Sequence, residues 1–251
     1  MPDPLSMATA RWQTLLDAHE DALALTVFCD EIIPLLLPEL HARFDRDYPE
    51  EQSGGTFGGL VSLLGYTPDT TILAAQFVEA KVVVVLHTLE TRPFLDQVRA
   101  MLPQCDVKSV QFDRDDLGSL EPAMGTALQA LDDSDDVVVE MTGGTKPMGN
   151  LVWLAAAMRG IPALYIDYLR YDPRHRKPVP ASIYMRLMRA PRPSALSPLV
   201  RQDLVTRLQH VTSSLRDLAP GPVSEADLQR NNRIQIISKE IEQISSIIGR
   251  S

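Results

Sequence analysis

Cysteine is nearly absent from this 251-residue chain: Cys29 and Cys105 stand far apart, each beside apolar residues. With no pattern of spacing between them, a reduced cytoplasmic compartment is the simple inference. Basic residues are also short, 24 Lys and Arg against 33 Asp and Glu, giving a net charge of −9 and a pI near 5.0. That balance argues against a nucleic-acid surface working by general attraction, and leaves room for a local cationic pocket. A membrane-spanning run is missing too. The most apolar N-terminal stretch, residues 22–40, is interrupted by Asp30, Glu31, Pro34 and Pro38, which makes it too short and too charged to cross a bilayer. Residues 1–10 lack the basic start and apolar core of a secretory signal. The expectation is a soluble, cytoplasmic protein. The five histidines, His19, His41, His87, His175 and His210, are scattered without carboxylate or cysteine spacing, so no metal site is expected. Nucleophile-elbow, Walker and G-x-G-x-x-G patterns are absent; NAD is disfavoured and no cofactor is expected.

What is present is a core and an alternation. Hydrophobic residues make up 45% of the chain, enough for one domain of moderate size with appendages, or two small ones. Residues 8–43 read as helical, with an interruption near Pro34 or Pro38, and residues 45–59 as a polar, glycine-rich loop. Strands are then expected at 60–64, 81–87, 107–112, 136–140, 162–168 and 182–188, the last at an edge. Helices are expected at about 71–79, with Pro68 in the first turn and Thr67 as a cap, then at 92–102, 118–131 and 149–158. Strands alternating with helices of this length predict an α/β, Rossmann-like, mostly parallel sheet covered on both faces, flanked by N-terminal and C-terminal helical segments. The expected division is 1–57, 58–190 and 191–251. In the last segment Ile234, Ile237, Ile241, Ile244 and Ile248 form a heptad-like stripe, which either docks on the protein's own core or makes an inter-subunit seam.

The chemistry concentrates where the fourth strand ends. Thr142-Gly143-Gly144-Thr145-Lys146-Pro147-Met148 follows the run Val137-Val138-Val139-Glu140 and opens a helix. Backbone N–H groups and the positive end of a helix dipole face outward at such a turn and suit a phosphate. The glycines admit close approach, Thr142 and Thr145 offer hydroxyls, and Lys146 supplies charge. The competing reading is a turn that uses Gly-Gly-Thr for geometry alone. In a parallel sheet, the loops 65–69, 88–91, 113–116 and 142–146 share the carboxyl edge, where ligands bind.

Three stretches resemble the CARF domain, the Rossmann-like sensor module of CRISPR-associated ancillary proteins. They are residues 60–69 (Leu-Val-Ser-Leu-Leu-Gly-Tyr-Thr-Pro-Asp), residues 83–91 ending His-Thr-Leu-Glu-Thr, and the motif from Thr142 to Met148. The resemblance covers roughly residues 58–190. It implies a homodimer that holds a cyclic oligoadenylate across its two-fold axis, cyclic tetra-adenylate being favoured. It places phosphates on Thr142, Gly143, Gly144, Thr145 and Lys146, with Met148 closing the motif. Bases and ribose then fall near Gly65, Tyr66 and Thr67, and near Thr88, Glu90 and Thr91. A symmetric ring of phosphates suits a two-fold dimer, since each subunit presents the same patch. Tyr66 is a candidate for stacking on a base, and Glu90 for a ribose hydroxyl or an adenine amino group. Part of the basic loop 170–177 is a candidate lid.

The leading expectation is therefore a type III CRISPR ancillary sensor that signals through its flanking helices, a protein effector or a higher oligomer built on the C-terminal helix. The alternative is a ring nuclease that cleaves the same ligand by orienting a ribose 2′-hydroxyl on the adjacent phosphate, with Lys146 and Thr67 as candidate catalytic groups. A Rossmann-like enzyme acting on a small phosphorylated metabolite is the third reading.

Overall fold

The computed structural model describes residues 3–51, 55–131 and 136–189. The heptad-like stripe at 234–248 and the expected segment 191–251 lie outside them.

The chain begins with helix α1 (Pro4–Asp17), capped by the Asp3 side chain, which accepts from the Ser6 N–H. It breaks at residues 18–20, where His19 adopts a φ of 57°, then continues as α2 (Asp21–Val27), a π turn (Phe28–Ile32) and α3 (Ile33–Asp47). The α-helical run gives way to the π turn just before Pro34, where an interruption is expected, and the break at 18–20 is a further one. Pro34 falls in the first turn of α3, and Pro38 is carried inside that helix.

A six-stranded sheet follows, built from β1 (Gly59–Leu63), β2 (Val82–His87), β3 (Asp106–Gln111), β4 (Val137–Glu140), β5 (Ala163–Tyr168) and β8 (Ile183–Met188). Their spatial order is β3-β2-β1-β4-β5-β8, parallel throughout except for the antiparallel pair β5–β8. This is the Rossmann-like α/β sheet expected, with its edge strand where expected. Between β5 and β8 the basic loop forms a small hairpin of β6 (Tyr171–Asp172) and β7 (Lys177–Pro178).

Crossover helices α4 (Asp69–Phe77) and α5 (Leu95–Met101) cover one face, and α6 (Leu120–Gln129) and α7 (Lys146–Met158) the other. β-Branched residues alternate between two cores, as a doubly covered strand requires. Val83, Val85 and Val138 enter the first with Ile72 and Val98, whereas Val84, Leu86 and Val139 enter the second with Met124 and Val152. The N-terminal helices contribute Trp12, Ile32, Ile33 and Phe44 to that first core. Residues 3–47 are therefore packed onto the sheet rather than around a separate centre. Four helix starts differ from expectation. Pro68 takes the N-cap of α4 and no side chain caps it, so Thr67 does not act as a cap. Leading 3-10 turns at Arg92–Phe94 and Leu117–Ser119 shorten α5 and α6. Helix α7 starts at Lys146, three residues before the expected 149, because Pro147 fits its first turn.

Candidate functional site

Strand order reverses between β1 and β4, and that switch point is where a parallel sheet leaves a crevice beyond its strand ends. The two loops that leave it, 65–68 after β1 and 141–145 after β4, are in contact. A Cβ built on Gly143 would lie 1.7 Å from the Leu63 carbonyl oxygen and 3.1 Å from the Gly65 nitrogen. Only glycine fits there. Gly144 turns the chain with a φ of 72°, in the left-handed region glycine favours. Buried Gly65 and Gly143 thus carry the geometry of the two loops.

Beyond this turn Gly144, Thr145 and Lys146 are exposed. Thr145 is the N-cap of α7, extended at φ −88° and ψ 158°, and its hydroxyl makes no capping hydrogen bond. Lys146 is the first residue of the 13-residue helix and forms no ion pair among the described residues. One uncommitted hydroxyl, one ammonium and the N–H groups of a helix start are presented together to solvent, a ready anion site.

Tyr66 is 59% exposed, and its hydroxyl accepts a 2.9 Å hydrogen bond from Arg114 in the loop after β3. Thr67 is exposed beside it. Glu90 is exposed after β2, and the Thr88 hydroxyl holds its carboxyl below the usual range, aided by its own backbone and by Arg114. Lys146 and Arg114 therefore flank the edge, leaving β4 and β3, with β1 and β2 between them. Arg114 was not singled out by sequence reasoning; its signal was a lone cation in the acidic stretch 113–116 at a strand end.

Four expected contact residues are turned inward. The Thr142 hydroxyl oxygen accepts from the Ile166 N–H at 2.8 Å, and the Thr142 N–H donates to Glu140 at 2.5 Å. This threonine pins the turn to β5 and beneath itself, so a hydroxyl reaching phosphate is not what its side chain presents. Thr88 and Thr91 are 4% and 5% exposed, and the Thr91 hydroxyl accepts from the Thr88 N–H at 3.0 Å. They close the loop after β2 on itself. Met148 is 5% exposed and packs in the second core with Leu63 and Val152. An apolar thioether in the first turn of α7 gains more from that core than from the rim.

Three of the basic loop's candidate lid residues are committed to ion pairs. The His175 ring sits between Asp172 and Asp17, 2.7 Å from each, and Arg174 joins Asp17 at 2.8 Å. Lys177 pairs with Asp69 at the start of α4. The two carboxylates push His175 above its ordinary value, led by Asp17, and His175 in turn lowers Asp172. The hairpin therefore straps the end of α1 to the start of α4. A cleft of about 280 Å³ opens beside it, with Trp12, Phe94, Gln97 and Lys177 on its walls and Tyr66 and Thr67 at its rim.

Beneath the motif lies a polar cluster that sequence reasoning also missed. Glu140 and Ser62 are fully buried, cross-strand neighbours, and the Ser62 hydroxyl donates to the Glu140 carboxylate at 2.8 Å. Ser62 also shares a 2.8 Å hydrogen bond with the buried Thr71 of α4. The visible signal was one carboxylate closing a run of three valines. No group of three or more His, Cys, Asp or Glu suited to a metal ion occurs among the described residues, nor any helix long and apolar enough to cross a membrane.

No family model matches the chain. It is 31% identical over 153 residues to the CRISPR system endoribonuclease Csm6 of Thermus thermophilus, a match covering 58% of this chain and 32% of that protein. The chain thus spans about a third of the length of the curated relative it matches. Among solved structures it is similar to Can2 from Sulfobacillus thermosulfidooxidans in complex with cyclic tetra-adenylate, at a TM-score of 0.39 and 16% identity over 43% of this chain and 32% of that one.

Proposed function

We propose that this chain is a CARF-type sensor of type III CRISPR defence that binds a cyclic oligoadenylate at the carboxyl edge of its sheet. The observation that carries the reading is the contact of the loops after β1 and β4 at the switch point. Thr145 and Lys146 on one of these loops, and Tyr66 and Thr67 on the other, are exposed. The similarity to Csm6 adds independent support. Phosphates sit on the Gly144–Thr145–Lys146 turn, where backbone N–H groups, a hydroxyl and an ammonium converge. A base stacks on exposed Tyr66, and Glu90 accepts from ribose hydroxyls or an adenine amine. Gly65 and Gly143 shape the floor, while Thr88, Thr91, Thr142 and Met148 support the rim from within. Two subunits face each other across a two-fold axis so that both Lys146 side chains reach one ring.

The test is calorimetric titration of the purified protein with cyclic tetra-adenylate, followed by chromatography of the ligand. Binding with an intact ring is expected. Linear products would favour the ring-nuclease reading, in which exposed Thr67 and Lys146 orient and stabilise the reacting phosphate. Stabilisation by mononucleotides or sugar phosphates, with none by cyclic oligoadenylates of any size, would overturn the assignment in favour of a small-metabolite enzyme.

A further inference from the structure

The carboxyl of Glu140 is the only acid in the two central strands β1 and β4, and it lies directly under the loop that faces the anion. Its oxygens receive the Thr142 N–H and the Ser62 hydroxyl, and the Thr142 hydroxyl and Gly143 N–H also bear on it. Two backbone donors and one hydroxyl of the turn are therefore committed downward, which leaves the N–H groups from Gly144 onward to face outward. We infer that Glu140 is a positioning residue for the anion-binding turn, and that ligand binding there is coupled to uptake of a proton by this carboxyl. The inference rests on the functional reading above.

The physical basis is the sign and the dielectric. A phosphate on the turn and an ionised carboxylate beneath it are like charges separated by one layer of backbone, and the fully buried carboxylate is poorly screened. Burial already pushes the Glu140 carboxyl above the usual carboxylate range, against the opposing hydrogen bonds from Thr142, Ser62 and Gly143. The neighbouring elements do not supply a compensating charge. β1 has no titratable residue, α4 offers Asp69 already paired with Lys177, and β5 offers Tyr165, itself raised by burial. The thiol of Cys29 in the π turn is pushed up to about 12 and stays neutral. Lys146 of the turn is the cation that the ligand's phosphate engages, and no ion pair to Glu140 occurs among the described residues.

A place for the proton exists. With Glu140 ionised, Ser62 donates to it. When solvent delivers a proton to the carboxyl, the acid O–H donates to the Ser62 oxygen, and the Ser62 hydroxyl turns its hydrogen to Thr71, 2.8 Å away. The hydroxyl pair Ser62–Thr71 can thus reverse the direction of its hydrogen bonds when the carboxyl gains a proton.

Calorimetric titration with cyclic tetra-adenylate at one pH in buffers of differing ionisation enthalpy reads the proton count directly. Net uptake that rises with pH toward one proton per subunit, two per shared ring, is expected, with affinity for the ring falling about a hundredfold per pH unit where uptake is complete. Glu140→Gln keeps the shape and is expected to abolish the uptake and flatten that dependence; Ser62→Ala, which leaves the carboxyl in place, keeps an uptake but shifts its pH range. Binding by the wild type with no uptake, or uptake retained in E140Q, overturns the coupling and leaves the sensor reading intact. Should E140Q fail to fold, the wild-type buffer series alone decides. No binding by the wild type at any pH overturns both.

Discussion

Lys146 is useful because of what its neighbours leave undone. Thr145 does not cap its helix, no carboxylate claims the ammonium among the described residues, and Pro147 withholds one N–H without disturbing the turn. Lys146→Ala is expected to weaken cyclic tetra-adenylate binding at least about tenfold, near 1.4 kcal/mol, with little change in thermal stability, since the side chain is exposed. Full affinity in that variant, measured calorimetrically, would remove the site. Gly143→Ala is expected to do the reverse and damage the frame. Its new methyl would meet the Leu63 carbonyl, a collision at the top of the overpacking range, about 3 kcal/mol, visible as a lowered Tm. The motif was legible because glycine pairs and a lone lysine have few other reasons to occur together at a strand end. Which hydroxyls point outward was not. Thr142 and Thr145 are identical side chains three residues apart, and only the hydrogen bond to Ile166 separates their roles.

At the level of elements, alternation of valine-rich strands with apolar helices gave the sheet and its edge strand, because both periodicities are written in the residues themselves. The strap was not written there. Asp17 and His175 are 158 residues apart, and nothing local announces that a helix end and a hairpin will meet. The strap has a pH signature. The raised His175 contributes stability that is fully present below about 6.5, the ordinary value, and is lost as pH rises through its raised folded value. The lowered Asp172 contributes stability present above about 3.9 and lost as pH falls through its depressed value. The strap is therefore tightest between these limits. Once exchange is corrected for its intrinsic rise with pH, amide protection at the end of α1 should be highest near pH 5.5 and lower at pH 8.5, and His175→Asn should erase the difference. Equal protection in both proteins at both pH values would show that the ion triad does not hold the hairpin.

For the molecule as a whole, the net charge of −9 opposes a polyanion, so binding depends on a short-range field that salt screens over about 8 Å at physiological ionic strength. If two subunits share one ring, light scattering and calorimetry together should give one cyclic tetra-adenylate per two chains, with affinity falling as salt rises. One ring per chain would exclude the shared site. Strand β8 adds a last consequence. Because it runs antiparallel to β5, Met188 ends beside Ala163, at the amino rim of the sheet. Its six residues carry the backbone roughly 20 Å from the crevice at the carboxyl edge. A fluorophore attached to Arg189 would stand well clear of an incoming ring, so any change in its emission on titration would report a message carried through the body of the protein.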